Sequence, residues 1–544
     1  MAAHKGLMIE KSLLVKNARI YTMDAKAPVA SALAVIGDRI AVVGAEVEAR
    51  AALRGRTNLE EWDAEGNCLL PGLIDAHTHF LEWSKRMVSV DLEGVPTLQD
   101  ALKIVREFAE RQRGHDQWIV GGGWNKNIWG AGGFPTRRHL DSAAPDNPVA
   151  LSSKDGHSLW VNSRALELAG VNKATADPDG GRLLRDADGR PTGILQETAQ
   201  GLVWRFIPDR GLDEDRDILR QGMRVAVKLG LTGVHTCEGA STMRALQAMD
   251  NDDEMILRVN ALIPAADLDS AIDLGLTWGF GSQYLRIGPL KLFADGALGS
   301  QTAYMYEPYE GDGDYAGIPV MALDDLKEVI AKAAKAGMPV AAHAIGDRSN
   351  SEVLTAIDFA MGEAGLNPGD LRHRIEHAQC VRPADLKRFA ELGVIASVQP
   401  LHATSDRYIV DRHWGERRGS WAYAFKNFLT EGVSVAFGSD APVESIGPLK
   451  GIYAAVSRKR EDEPDSEPWY PDQRLTREEA VFGYTVGAAF AGGDEGRRGM
   501  LSPGMLADFI LLDRDIMRCP EEEIPGAEAL LTVVGGSPVH SERW

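Results

Sequence analysis

Short apolar segments alternate with amphipathic segments through most of the chain. From about residue 215 onward, the pattern predicts strands at 233–237, 257–263, 285–293, 338–343, 372–377, 394–399 and 433–437, separated mostly by helical segments such as 323–336. An earlier apolar strand is predicted at 69–79, which makes eight strands. Eight strands that alternate with helices indicate an α/β fold built on a (β/α)₈ TIM-type barrel.

The two ends of the chain have β character instead. Residues 8–68 contain short alternating strands, including a predicted hairpin at 32–43 with Gly37 and Asp38 at its turn, and β character returns after about residue 497. We therefore expect three segments: 1–68 and 497–544 as the two parts of one β-sandwich, and 69–496 as the barrel.

Residues from about 90 to 215 interrupt the alternation between barrel strands one and two. They combine helix signals, a glycine-rich stretch at 121–123 and a predicted hairpin at 182–193. Insertions after a barrel strand emerge at the catalytic face, so we interpret this region as a cap over a site. The alternative is an independent linker domain.

Composition narrows the possible partners and compartments. The 544 residues carry 59 Lys+Arg and 79 Asp+Glu, a formal net charge of −20 with a pI near 5.2. This balance argues against nucleic-acid and anionic-membrane partners. Four scattered cysteines, no apolar run long enough for a membrane span and no evident signal peptide favour a cytoplasmic protein with reduced thiols. A homo-oligomer is compatible with the sequence.

Residues of metal-ligand type stand at the ends of five predicted barrel strands, where functional residues of such barrels lie. They are His77 and His79, two residues apart on one side of a strand, followed by Lys291, His343, His377 and Asp440. Each has a structural alternative: a hydrogen-bonded core histidine, a snorkelling or Schiff-base Lys291, or Asp440 as a helix N-cap. These alternatives would have to coincide at five strand ends, which favours a site for Zn²⁺ or a similar ion.

Sequence motifs around these residues resemble the amidohydrolase superfamily, in particular amidohydrolase family 3, which includes N-substituted formamide deformylase-like enzymes. The motifs are GLIDAHTH at 72–79, KLFADG at 291–296, HAIGD at 343–347, IEHA at 375–378, GSDAP at 438–442 and ADFILLD at 507–513. They span nearly the whole chain and are specific for the superfamily rather than for a substrate.

The resemblance implies a role for each ligand-type residue. His77 and His79 would bind one divalent ion, His343 and His377 a second, a carbamylated Lys291 would bridge them, and Asp440 would bind metal and move protons. Burial of a lysine in an apolar strand disfavours its charged form, and a neutral amine can add CO₂. The carbamate and Asp440 would then supply the negative charge that two ions among neutral imidazoles require.

The implied activity is that of a metal-dependent amidohydrolase. Hydroxide activated by one or two ions, most simply Zn²⁺, would attack the carbonyl of a small-molecule amide or ester, with Asp440 carrying the proton. Cleavage of a non-peptide carbon–nitrogen bond is the first hypothesis. Ester or lactone hydrolysis, deamination and decarboxylation remain alternatives, as does an inactive scaffold, although none of the ligand-type residues is missing. No nucleotide cofactor is expected.

Five further residues are candidates for substrate contacts. Trp124 and His157 lie in the predicted cap, His235 in strand two, and Gln399 and His402 at strand seven. The alternative for each is a packing role or support of the metal ligands.

Overall fold

A computed structural model describes residues 11–111, 117–126, 128–129, 133–154, 158–178, 180–208 and 211–542. The chain divides into two compact units. The first comprises Met1–Phe80 and Leu219–Trp544, and the second is Leu81–Ile218. The first unit contains the barrel and a β-sandwich, and the second contains the insertion.

The first unit is organised around a sheet of eight parallel strands. Numbered along the chain, these are β1 (Leu73–Thr78), β2 (Leu231–Thr236), β3 (Arg258–Pro264), β4 (Leu285–Phe293), β5 (Val340–Ala344), β6 (Arg374–His377), β7 (Ile395–Val398) and β8 (Val435–Phe437). Each strand pairs in parallel with the next one along the chain. The predicted TIM-type barrel is therefore confirmed, with all eight strands in the predicted order.

Hydrogen bonds beyond the sheet link the first strand to the segment that follows the last one. The Asp440 amide donates to the His77 carbonyl at 2.7 Å, and the His79 amide donates to the Ala441 carbonyl at 2.8 Å. The buried Asp75 carboxylate accepts bonds from the Ser439 amide at 3.0 Å and from its hydroxyl at 2.5 Å. These bonds bring the ends of β1 and β8 together, so the barrel is nearly closed.

The apolar run predicted as a single strand at 69–79 is divided at Gly72. Cys68–Pro71 pairs with Phe509–Leu512 in the sandwich, whereas β1 belongs to the barrel. A Cβ at Gly72 would lie 2.2 Å from the Thr232 side chain, so the chain can turn between the two sheets only without a side chain there. The sandwich thus extends to Pro71, beyond the expected boundary at residue 68.

Two sheets form the β-sandwich. One has the order Arg39–Gly44, Ala32–Ile36, Ser12–Lys16, Leu59–Asp63, and the other Ser537–Ser541, Ala529–Val534, Phe509–Leu512, Cys68–Pro71, Arg19–Tyr21, Val29–Ala30. Leu13 and Trp62 of the first sheet share a buried core with Phe509 and Val533 of the second. The sandwich is therefore built from both ends of the chain, as predicted.

The second unit has its own sheet and core. Its strands run in the order Gly181–Arg185, Pro191–Glu197, Ser158–Val161, Val149–Ser153, Ile119–Trp124, Val90–Asp91, with helices Leu98–Arg111, Arg137–Ala143, Ser163–Leu168 and Gly201–Trp204. Trp124, Trp129 and Trp160 pack together with ring centroids 5.9–6.2 Å apart. The insertion is thus a compact unit rather than a long loop.

The α-helices described in the first unit vary from four to eighteen residues in length. They are Ala240–Asn251, Leu268–Asp273, Leu323–Lys335, Asp347–Ala364, Pro383–Leu392, Pro400–Ser405, Arg407–His413, Gly415–Gly419, Phe425–Thr430, Pro448–Ser457, Arg477–Phe482 and Ala488–Ala491, with Glu46–Ala52 in the sandwich region. Helices Phe80–Met87 and Leu212–Lys228 cross the division between the units.

Within the described ranges, no helix combines the length and apolar character needed to cross a membrane.

A buried ion pair joins the barrel to the sandwich. Arg258 of β3 donates two hydrogen bonds to Asp508, at 2.8 and 3.0 Å, and both side chains are only 4% exposed. Asp508 immediately precedes strand Phe509–Leu512, so the pair fixes that strand against the barrel.

We predict that Asp508→Asn destabilises the first unit without removing the site described below. The substitution leaves the Arg258 charge buried and unpaired, which should lower the free energy of unfolding by roughly 3 kcal/mol. Denaturant unfolding followed by tryptophan fluorescence measures this loss. An unchanged unfolding midpoint would show that the pair contributes little to stability.

Candidate active site

Barrel strand ends bring the ligand-type residues into one region. His77 lies in β1, Lys291 in β4, His343 in β5 and His377 at the end of β6, while His79 and Asp440 lie just beyond β1 and β8. The carboxyl ends of parallel strands meet at one end of a barrel, so residues far apart in sequence become neighbours.

Three of these residues form the centre of the cluster. Ligand atoms of His77, His377 and Asp440 all lie within 4.8 Å of one another, and all three side chains are buried. His77 Nε2 and His79 Nε2 each lie 3.4 Å from Asp440 Oδ1. The Asp440 carboxylate therefore faces three imidazoles.

His343 and Lys291 extend the cluster on the side of β4 and β5. The His343 ring centroid is 4.5 Å from that of His377 and 5.4 Å from that of Phe293. Lys291 Nζ lies 4.7 Å from the centre of the Phe293 ring. His343 Nε2 is 3.0 Å from the Gly296 carbonyl, an acceptor, so this nitrogen carries the proton and Nδ1 is left to bind an ion.

The backbone takes an uncommon conformation at two of the cluster residues. His377 has a φ of 72° and Asp440 a φ of 57°, both in the left-handed region that side chains other than glycine seldom adopt. Such positions concentrate at functional sites, because the surrounding structure must hold them. Regular strand alternation would point the side chains of Glu376 and His377 to opposite faces. The backbone turn at His377 changes the direction of its side chain.

Charges in the cluster are arranged around the buried Asp440 carboxylate. Burial opposes its ionisation, but hydrogen bonds with His77 and His79 lower the pKa of Asp440 well below its usual range. Burial and the positive charge of Lys291 lower the pKa of His343 to about 3. Burial and neighbouring His343 likewise lower the pKa of His377 well below its ordinary value. The cluster thus offers two imidazoles that favour the neutral form, those of His343 and His377, and an anionic carboxylate.

These residues fit a divalent ion. At metal–nitrogen distances of about 2.0–2.1 Å, adjacent ligand atoms of a tetrahedral site lie roughly 3.4 Å apart, which matches the two imidazole–carboxylate separations of 3.4 Å. Within the described residues, the buried Lys291 Nζ and His377 Nδ1 have no hydrogen-bond partner. A buried polar atom without a partner is costly, and an ion or a ligand at this site would provide one.

Two of the candidate substrate contacts follow β7: Gln399 comes directly after the strand, and His402 lies in helix Pro400–Ser405. His402 Nε2 is 3.9 Å from Asp440 Oδ2, and the His402 ring stacks over that of His377 at a centroid distance of 6.1 Å. His402 Nε2 and Gln399 Oε1 are buried without a hydrogen-bond partner among the described residues. Both atoms are therefore available to a ligand, and the roles of these residues remain predictions.

Trp124 and His235 are both buried, and substrate contacts by either residue remain predictions. Trp124 is 1% exposed in the core of the second unit, and its Nε1 donates to the Leu151 carbonyl. The Trp124 indole packs against Trp129 and Trp160 in that core. His235 is 2% exposed and accepts a hydrogen bond from Arg374 inside the barrel, one residue before the end of β2. His157 lies outside the described residues.

Three residues near the cluster had no role in the sequence prediction. Glu376 Oε2 lies 2.5 Å from His77 Nδ1. Gln379 Nε2 lies 3.5 Å from His402 Nδ1. Burial opposes the charged form of His77, but the electrostatic effects of Cys237 and Glu376 raise the pKa of this imidazole well above its ordinary value. Of these three residues, only Glu376 could have been found from the sequence, because strand alternation places it on the same face of β6 as Arg374.

Comparisons with known proteins find similarity over most of this chain. A model of the amidohydrolase family matches residues 60–540. Protein LONG AFTER FAR-RED 3 of Arabidopsis thaliana is 34% identical, over 98% of this chain and 92% of its own length. N-substituted formamide deformylase of Arthrobacter pascens is 29% identical, over 97% of this chain and 98% of its own length.

A solved structure has the same fold. It is an uncharacterized metal-dependent hydrolase from Pyrococcus furiosus, with a TM-score of 0.78 and 30% identity. The alignment covers 93% of this chain and 100% of that one. The similarity therefore includes the barrel and the regions that flank it.

We predict that the purified protein retains about one or two equivalents of a divalent ion and that His377→Ala loses most of it, because the variant removes a central ligand. Elemental analysis after divalent-metal supplementation measures both. His540→Ala, which changes a histidine of strand Ser537–Ser541 in the sandwich, is the control and should keep the wild-type content. Equal metal content in all three proteins would place the ion elsewhere.

Proposed function

This chain belongs to the amidohydrolase family, and we propose that it is a metal-dependent hydrolase that cleaves a non-peptide carbon–nitrogen bond of a small molecule. The observation that carries the proposal is the convergence of His77, His377 and Asp440, with ligand atoms within 4.8 Å, at the ends of three barrel strands. Zinc is the ion that a set of imidazoles with one carboxylate suits best.

A divalent ion bound there supplies a Lewis acid and makes water a nucleophile near neutral pH. His77, His79, His343 and His377 would hold it. Lys291 is buried, and its Nζ has no hydrogen-bond partner among the described residues; addition of CO₂ to this amine, with loss of a proton, would give a carbamate that supplies an anionic oxygen ligand. Without the carbamate, the four imidazoles would be accompanied by Asp440 as the single carboxylate among the proposed ligands.

Asp440 is placed to move the proton. Its low pKa keeps the carboxylate ionised and able to accept a proton from water. It then delivers that proton to the leaving nitrogen, which must be protonated because an amide anion is a very poor leaving group. His402, with Nε2 free and 3.9 Å from Asp440 Oδ2, is placed to hold the substrate carbonyl or its leaving group.

The preference for a carbon–nitrogen bond over an ester rests on two arguments. A relative that aligns over 97% of this chain is named an N-substituted formamide deformylase. An ionised carboxylate that can return a proton to the departing group is also required more by an amide than by an ester. We therefore expect the metal-loaded protein to turn over N-formyl or N-acyl amines in a screen that includes matched esters. Turnover of the esters alone would contradict the proposed bond class.

We predict that Asp440→Asn lowers kcat for an amide by roughly two to four orders of magnitude, the usual contribution of general acid–base catalysis. Asparagine keeps the size and one oxygen but cannot accept the proton, so metal content should change less than turnover. Steady-state kinetics with parallel elemental analysis test this. Asp358→Asn, on the exposed face of helix Asp347–Ala364, is the matched control. Near wild-type turnover by a metal-loaded Asp440→Asn protein would remove Asp440 from the mechanism.

We also predict that Lys291→Ala loses activity and metal together, and that short carboxylic acids restore part of both by occupying the place of the carbamate. Lys291→Arg should not be restored, because a guanidinium stays charged and does not react with CO₂. Activity titrations with formate, acetate and propionate distinguish the two variants. Full activity in either variant without added acid would refute the role of Lys291.

A further inference from the structure

We propose that Glu376 is the positioning residue of the metal centre: it holds the His77 ring so that Nε2 faces the ion, and Arg374 and His235 hold Glu376 in turn. This inference rests on the proposed metal-dependent function and adds three buried residues, one behind the other, to the six ligand residues. Its central contact joins Glu376 Oε2 to His77 Nδ1 at 2.5 Å.

The contact fixes which His77 nitrogen is available. A carboxylate only accepts hydrogen bonds, so the proton of this contact sits on His77 Nδ1. The opposite nitrogen, Nε2, is the one that lies 3.4 Å from Asp440 Oδ1 in the cluster. A carboxylate behind a ligand imidazole selects its tautomer, fixes the ring orientation and makes the ligand nitrogen more basic.

Arg374 packs against the second oxygen of the Glu376 carboxylate. Arg374 Nε lies 2.6 Å from Glu376 Oε1, and both side chains have no exposed surface. One carboxylate oxygen therefore faces the ligand imidazole and the other faces the guanidinium.

His235 anchors the far side of Arg374. Arg374 Nη1 lies 2.9 Å from His235 Nδ1, and a guanidinium only donates, so Nδ1 is the acceptor and the His235 proton lies on Nε2. A Cβ at Gly492 would lie 2.9 Å from His235 Nε2, so the absence of a side chain there leaves room for the ring. The four side chains thus form one buried chain of contacts, from His235 in β2, through Arg374 and Glu376 in β6, to His77 in β1.

A second buried ion pair shows what would be expected if Glu376 only stabilised the fold. Arg258 and Asp508 are also paired and almost fully buried, but within the described part of the chain their side-chain hydrogen bonds involve no imidazole. Loss of either carboxylate leaves a buried guanidinium without its partner and should destabilise the fold. Loss of Glu376 alone should also release a metal ligand.

The test compares Glu376→Gln with Asp508→Asn. Metal affinity is measured on the full-length apoproteins by competition for Zn²⁺ with a chromogenic chelator, and unfolding is measured in parallel. We expect Glu376→Gln to weaken Zn²⁺ binding about 10–100-fold, the usual effect of losing such a carboxylate, and Asp508→Asn to bind as the wild type does. Equal affinity in Glu376→Gln and wild type, or equal losses in both variants, would overturn the positioning role.

Two further readouts keep the result decisive. Failure of the wild-type protein to bind Zn²⁺ would overturn the proposed function itself, which separates that failure from the failure of this inference. If Glu376→Gln does not fold, nitrogen-15 NMR of histidine-labelled, Zn²⁺-loaded wild-type protein tests the same claim, with the His77 signal assigned by its loss in His77→Gln. A proton on His77 Nδ1 supports the inference, and a proton-free Nδ1 contradicts it.

Discussion

The candidate site depends on the contact between the first barrel strand and the segment after the last one. Two backbone hydrogen bonds, from Asp440 to His77 and from His79 to Ala441, place residues separated by more than 360 positions side by side. The Asp75 carboxylate adds two bonds to Ser439 in the same place. If these bonds were lost, His77 and His79 would separate from Asp440, and ligands from β4, β5 and β6 would face an incomplete cluster.

The site buries many ionisable groups, and the energetic cost of that burial explains why their charges are paired. Charges are arranged in compensating pairs: Asp440 against imidazoles, Glu376 against Arg374 and His77, and Arg258 against Asp508 in the wall of the barrel. Buried charges of this kind persist when each is paired and hydrogen-bonded. Among the described residues, several buried polar atoms of the site have no hydrogen-bond partner, including Lys291 Nζ, His377 Nδ1 and Glu376 Oε1, and an ion with its ligands would complete the first two.

The sequence was sufficient to predict the strand order and the proximity of the ligand-type residues, because both follow from local periodicity and from the geometry of a parallel barrel. It was not sufficient where packing decides. Trp124 stands in a glycine-rich stretch of the predicted cap, and its indole lies in the core of the second unit. His235 is buried inside the barrel, where it accepts a hydrogen bond from Arg374.

The backbone turn at His377 explains why the sequence analysis gave a role to His377 but not to its neighbour Glu376. Regular alternation puts Glu376 and His377 on opposite faces of β6, so their adjacency in the sequence does not predict that both reach the same site. The left-handed conformation of His377 brings its ring back toward the cluster. The boundary at Gly72 was also missed, because a continuous apolar run carries no signal that it serves two sheets.

The most direct test of the account is anomalous diffraction at the zinc absorption edge from crystals of the Zn²⁺-loaded protein. The account predicts one or two anomalous peaks among His77, His79, His343, His377, Lys291 and Asp440, with at least one peak about 2.0–2.2 Å from imidazole nitrogens and a carboxylate oxygen. Absence of a peak from this cluster, or full occupancy at another set of residues, would contradict it.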